Sequence, residues 1–216
     1  MRIWDSPLAE PGVLKNRLRI LAALDVILSA DKWPRVHRYE PQWRGGAELG
    51  IVDNGAGDDL YIVYAPEGVI IKGFDHLSPL SPHAGEEYGV WPGIYEETPK
   101  ELLVYLEDNE MFEYEDVTFC IWRESGDSQW RTGEVENPEG LDDGSGFLLG
   151  RLENTPQQYA DWAESYYDEP VHLDAVLQIF SGSAITEELI AALNPKRDAK
   201  AALEELDALG IQESRA

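Results

Sequence analysis

Residues 47–74 read AELGIVDNGAGDDLYIVYAPEGVIIKGF, and the punctuation of this stretch decides the fold class. Three runs rich in β-branched and aromatic residues, 49–52, 60–64 and 69–71, are separated by Asn54-Gly55-Ala56-Gly57 and by Pro66-Glu67-Gly68. Both separators are turn sequences. Connections this short join antiparallel strands, because a parallel return needs a crossover of a dozen residues or more. An antiparallel meander follows.

Outward from this centre the pattern changes twice. Residues 75–97 lose all periodicity, with breakers at Pro79, Pro82, Gly85, Gly89 and Pro92. A connection of that length is either functional or disordered, and Tyr88, Trp91 and Tyr95 argue for an ordered loop. Thr98-Pro99-Lys100-Glu101 then has an N-cap, a proline at the first helical position and a capping-box Glu, followed by Leu102, Leu103 and Leu106. The runs 117–122 and 129–135 read as a further hairpin turned by Ser125-Gly126-Asp127. Beyond an acidic, Gly-rich turn at 142–146 the chain becomes helical. Thr155-Pro156-Gln157-Gln158 repeats the cap signature, and Tyr159, Trp162 and Tyr166 follow at helical spacing. Further helices are expected over 171–180, 186–193 and 195–209, the last capped by Asn194 and ended by Gly210. At the other end, Leu14, Leu18, Leu21 and Leu28 form the apolar stripe of an amphipathic helix, with Lys15 and Arg19 opposite and Trp33-Pro34 as its stop.

The expected architecture is α+β. An antiparallel sheet of about five or six strands over 47–135 is flanked by an N-terminal helix (1–31) and a C-terminal helical region (150–216), all in one domain spanning 1–216. Strand order does not follow from the pattern.

Composition narrows function mainly by exclusion. With 216 residues, 43% of them apolar, and seven Trp, ten Tyr and five Phe, the chain can bury a sizeable core without staples. A lone cysteine, Cys120, rules out an intramolecular disulfide and the zinc sites built on Cys pairs. The most apolar stretch, 20–30, is interrupted by Asp25, and Asp5, Pro7 and Glu10 stand where the apolar run of a secretory signal would lie. A cytoplasmic protein with no membrane partner is expected.

Charge is the most unusual bulk property. The formal net charge is -25, which repels nucleic acid. It is also regional: residues 1–44 carry eight basic and five acidic side chains, whereas 101–188 carry three and twenty-two. Such a field speeds encounter with basic partners and also serves solubility.

The densest set of chemically capable side chains is Asp75, His76, His83, Glu86 and Glu87. Imidazole and carboxylate together can bind zinc or act as a general base with its orienting group. No His-Glu-x-x-His spacing places them on one face, and the preferred reading is that Asp75 and His76 tie the strand end to the loop by hydrogen bonds. No metal and no cofactor is expected. The stretch 53–59 has the look of a calcium loop, but Tyr64 stands where the bidentate carboxylate is required. Gly-x-Ser-x-Gly and Gly-x-x-x-x-Gly-Lys-Ser/Thr are both absent. Cys120, between Phe119 and Ile121, reads as a buried, inert thiol. The acidic run from Glu107 to Asp116 interleaves Met111, Phe112 and Tyr114, which suit either a solvated linker or a contact surface with aromatic anchors.

Gly73-Phe74-Asp75-His76-Leu77-Ser78-Pro79, Trp91-Pro92-Gly93, Phe119-Cys120-Ile121-Trp122-Arg123 and Ala192-Leu193-Asn194-Pro195 resemble a group of bacterial proteins without assigned activity. The resemblance covers most of the chain and implies a bacterial, cytosolic protein, with no catalytic residue carried over. In size and acidity the chain is also similar to immunity proteins that neutralise toxins, a likeness of character without a shared motif.

Three function classes remain. The leading expectation is a non-catalytic module that presents Asp75, His76, His83, Tyr88, Trp91, Tyr95, Phe112 and Tyr114, with the surrounding carboxylates, to a basic protein. The second is an enzyme built on Asp75, His76, His83 and a neighbouring carboxylate, with or without a divalent metal. The third is a structural subunit whose terminal helices pair with neighbours.

Overall fold

The structure, a computed structural model, describes residues 2–4, 6–107, 110–137 and 140–211. Its centre is an antiparallel sheet. Strands β1 (Arg2–Ile3), β2 (His37–Arg44), β3 (Ala47–Asp53), β4 (Asp59–Ala65), β5 (Gly68–Phe74), β6 (Phe119–Glu124) and β7 (Arg131–Thr132) lie in the order β1-β7-β6-β5-β4-β3-β2. The meander expected from 47–74 is its middle, with Ile62 opposite Gly50 on one side and Ile71 on the other.

Seven α-helices complete the described residues: α1 (Pro11–Leu28), α2 (Lys100–Glu107), α3 (Ser145–Gly150), α4 (Pro156–Tyr167), α5 (Leu173–Phe180), α6 (Glu187–Leu193) and α7 (Ala199–Ala208). The fold is α+β. Helix α1 and the C-terminal helices share one buried cluster with the sheet face carrying Val52, Leu60, Ile62, Ile71, Phe119 and Ile121. The opposite face, with Leu49, Tyr61, Val63, Ile70, Cys120 and Trp122, is covered by α2 and by the loops on either side of it.

The leucine stripe explains only the first half of α1. From Leu21 to Leu28 every residue is buried, because α5, α6 and α7 cover the side that the sheet does not. A helix apolar all round is a helix buried all round. It lies very close to the sheet: a Cβ on Gly50 would fall 1.9 Å from a Leu18 methyl.

Several boundaries differ from the sequence reading, each for a physical reason. Strand β2 was unassigned in the sequence because Pro41 interrupts it. As the sheet edge it tolerates a missing N–H, and its register shifts between Glu40 and Arg44. The run expected over 129–135 pairs only at Arg131–Thr132, and β1 supplies its outer neighbour. Helix α3 starts inside the segment read as a turn. The cap of α7 is Asp198, whose side chain accepts from Ala201 N–H, not Asn194. The Asn194 amide instead reaches the carbonyls of Ile27 and Leu28 at the end of α1. The capping box at Thr155 and Gln158 forms in full.

Candidate functional site

The end of the sheet where β4 begins and β5 stops gathers most of the chemistry. The last rung there pairs Asp59 with Phe74, so the residues just outside it, Asp58 on one strand and Asp75 and His76 on the other, emerge side by side. The β3–β4 tip is held by Asn54, whose side-chain oxygen accepts from Ala56 N–H and whose amide donates to Asp58 Oδ2 at 2.7 Å. Asp58 Oδ1 accepts the His76 backbone N–H at 3.1 Å and lies 2.7 Å from His76 Nδ1. Burial alone would raise the Asp58 carboxyl, but the bonds from His76 and Asn54 outweigh it and hold the group below its ordinary value.

Asp75 completes a triangle. Its ligand oxygen, that of Asp58 and the His76 imidazole nitrogen all lie within 4.8 Å of one another, the one such grouping of three among the described residues. Asp75 is positioned from two sides: Oδ1 accepts Leu77 N–H at 2.9 Å, and the 142–145 turn presses against it. Gly144, at φ +77°, is the only kind of residue that fits there, since a Cβ would come 2.4 Å from that of Asp75. Ser78 Oγ and Thr118 Oγ1 donate to the carbonyls of Asp142 and Asp143, both at 2.7 Å, and stitch the turn to the sheet end.

The second imidazole goes elsewhere. His83 Nε2 lies 2.9 Å from Asp116 Oδ1, and Tyr88 donates its hydroxyl to the same oxygen at 3.0 Å. Partial desolvation and the Asp116 carboxylate push the Tyr88 phenol up to about 12. The constellation expected from residues 75–87 is thus divided between two carboxylates on different segments, and neither Glu86 nor Glu87 joins it.

The aromatic residues separate by depth. Tyr88 is exposed, and Trp91 is half-buried with its indole N–H on the Glu136 carbonyl at 2.9 Å. Tyr95 and Tyr114 stack with ring centroids 4.5 Å apart, and the Tyr95 hydroxyl donates to the Tyr114 carbonyl. Phe112 is fully buried, edge-on to both Trp43 and Tyr61, and so offers no surface to a partner. Asp108 and Asn109 of the acidic run lie outside the described residues.

Two buried polar groups escaped the sequence reading. Lys72 is fully buried, 3.3 Å from Asp59 Oδ1 and above the Tyr61 ring. A lone lysine inside Val-Ile-Ile-Lys-Gly-Phe was a legible sign, because lysine is almost never fully buried unless paired. On the helical side Asp25 is completely buried, accepting from the Tyr159 hydroxyl at 2.7 Å, the His37 N–H at 2.7 Å and His37 Nδ1 at 3.0 Å. That network joins α1, β2 and α4, and no local pattern announces it.

Charge pairing is uneven. Lys15, Arg17, Arg35, Arg38, Arg123, Arg131, Lys196 and Arg197 each pair with a carboxylate. On the layer over the second sheet face, Glu86, Glu87, Glu96, Glu110, Glu113 and Glu115 are exposed and form no ion pair with a described residue. No helix among the described residues is long and apolar enough to cross a membrane. No family model, no curated protein and no solved structure matches the chain.

Proposed function

We propose that this chain is a non-catalytic binding protein of the bacterial cytoplasm that docks a basic protein on the acidic, aromatic layer covering the second face of its sheet. The observation that carries the reading is the combination of unneutralised charge and fixed geometry in that layer. Its exposed glutamates form no ion pair with a described lysine or arginine, while the loop bearing Glu86, Glu87 and Glu96 is held by the His83–Asp116–Tyr88 cluster, the Trp91–Glu136 bond and the Tyr95–Tyr114 stack. A surface of one sign steers association, and a surface ordered in advance loses little conformational entropy on binding. Tyr88, Trp91 and Tyr114 remain as aromatic contacts at its accessible level. The similarity to immunity proteins in size and acidity fits a partner of this kind.

Affinity capture at low salt from a bacterial host, with wild type and with a Glu86→Lys/Glu87→Lys/Glu113→Lys/Glu115→Lys variant, tests the reading. Wild type is expected to retain a basic protein that high salt releases and that the variant, equally folded by circular dichroism, does not retain. Capture indifferent both to ionic strength and to charge reversal would overturn it.

A further inference from the structure

We infer that Asp58, Asp75 and His76 form a binding site for a zinc-class divalent metal ion, a role separate from the acidic docking face and resting on different residues. The tertiary structure builds this group; the sequence separates Asp58 from the other two by the whole β4–β5 hairpin. The closing Asp59–Phe74 rung fixes both strand ends, so the ligands sit on a rigid base. The donor set is one imidazole nitrogen and two carboxylates with their oxygen and nitrogen atoms within 4.8 Å. Zinc accepts this mixture at bond lengths of roughly 2.0–2.2 Å, whereas calcium and magnesium prefer oxygen alone.

A hydrogen-bonded latch accounts for Asp58 and His76, and the Leu77 N–H engages one oxygen of Asp75, Oδ1. The Asp75 carboxylate has been brought beside a second carboxylate, and neither forms an ion pair with a described lysine or arginine. Arg151 senses Asp58 electrostatically without pairing with it. Two carboxylates converging with no Lys or Arg between them repel one another, and a divalent cation relieves that repulsion. Access suits the same role, because Asp58 is buried and forms the floor while His76 is exposed at the rim. The turn at Gly144 closes the side behind Asp75.

Metal binding replaces the Nδ1 to Asp58 hydrogen bond by coordination. The proton that Nδ1 shared with Asp58 is given up to solvent, the neutral imidazole carries its one proton on Nε2, and Nδ1 gives its lone pair to the ion. Asp58 Oδ1 retains the His76 backbone N–H, which holds the ligand in place. Three protein ligands leave at least one position for water, the arrangement of an open rather than a closed zinc site.

Titration of the full chain with zinc chloride by calorimetry, and with cobalt chloride by visible absorption, decides the matter. Wild type is expected to take up a single equivalent of either ion, the cobalt complex showing the intense visible bands of a low-coordinate site with nitrogen. His76→Ala removes a ligand at an exposed position and should weaken zinc binding by more than the roughly tenfold that loss of an outer-shell partner costs. Asp75→Asn should weaken it as well, and His83→Ala should leave it unchanged. Absence of saturable binding in wild type, or equal binding by wild type and a folded His76→Ala protein, overturns the assignment. The latter result would place the ion on the acidic surface.

Discussion

Lys72 and Asp59 meet diagonally across the β4–β5 ladder, Nζ to Oδ1 at 3.3 Å, with the lysine fully buried and the aspartate partly exposed. Burial opposes charge on both partners. It lowers the Lys72 ammonium below its ordinary value although Asp59 pulls the other way, and it lifts the Asp59 carboxyl to about 6 against the attraction of Lys72. Each charge is tolerated because of the other.

Removing one partner should therefore cost far more than removing both. Lys72→Met or Asp59→Leu alone leaves an uncompensated buried charge and is expected to destabilise by about 3–5 kcal/mol, whereas the double variant should fall near wild type or above it. Urea unfolding of the four proteins closes the cycle. Additive single effects would contradict the coupling.

The same pair gives a pH dependence of definite sign. The folded carboxyl of Asp59 titrates near 6, above its ordinary value, so between those two points the folded state binds the extra proton. This contribution is fully present below the ordinary carboxylate range and is lost as the pH rises through about 6. A shift of this size corresponds to about 3 kcal/mol. Comparing the pH profile of Tm for wild type and Asp59→Asn isolates it: the variant should lose less stability than wild type over that interval.

On the helical side, Tyr159→Phe deletes one of the donors to Asp25 without changing shape, and leaves a buried carboxylate oxygen short of a partner. A loss of about 1.5–3 kcal/mol is expected. Because the Tyr159 hydroxyl bonds α4 to α1, hydrogen exchange should rise first in α4. Unchanged protection there would show that packing alone holds the helix.

Cys120 is fully buried, and burial pushes its thiol up to about 12. Thiolate is the reactive form, so disulfide reagents should label the folded protein very slowly and the unfolded protein at once. Rapid labelling under native conditions would mean that the second sheet face opens.

What could be read from the chain were the features set by neighbours in sequence. The meander follows from turns at 54–57 and 66–68, the capping box from Thr155 and Gln158 three residues apart, and the α1 stripe from the 3.6-residue period. The residues that matter chemically are legible only in part. His76 and His83 are conspicuous as types, yet Asp58, Asp116 and Asp59 read as ordinary turn or surface acids, and Phe112 read as a surface aromatic.

By itself the sequence determined the α+β class, the capped start of α4, the antiparallel core of the sheet and the surplus of acid. Only the tertiary structure decided that His76 belongs to Asp58 and His83 to Asp116, that Lys72 is paired, and that Asp25, His37 and Tyr159 form one network. The physical reason is the range of the forces involved. Backbone preference and hydrophobic period act over a few residues and leave a local trace. A hydrogen bond or ion pair is set by strand register and helix packing, which join residues far apart in the chain and write nothing at either position.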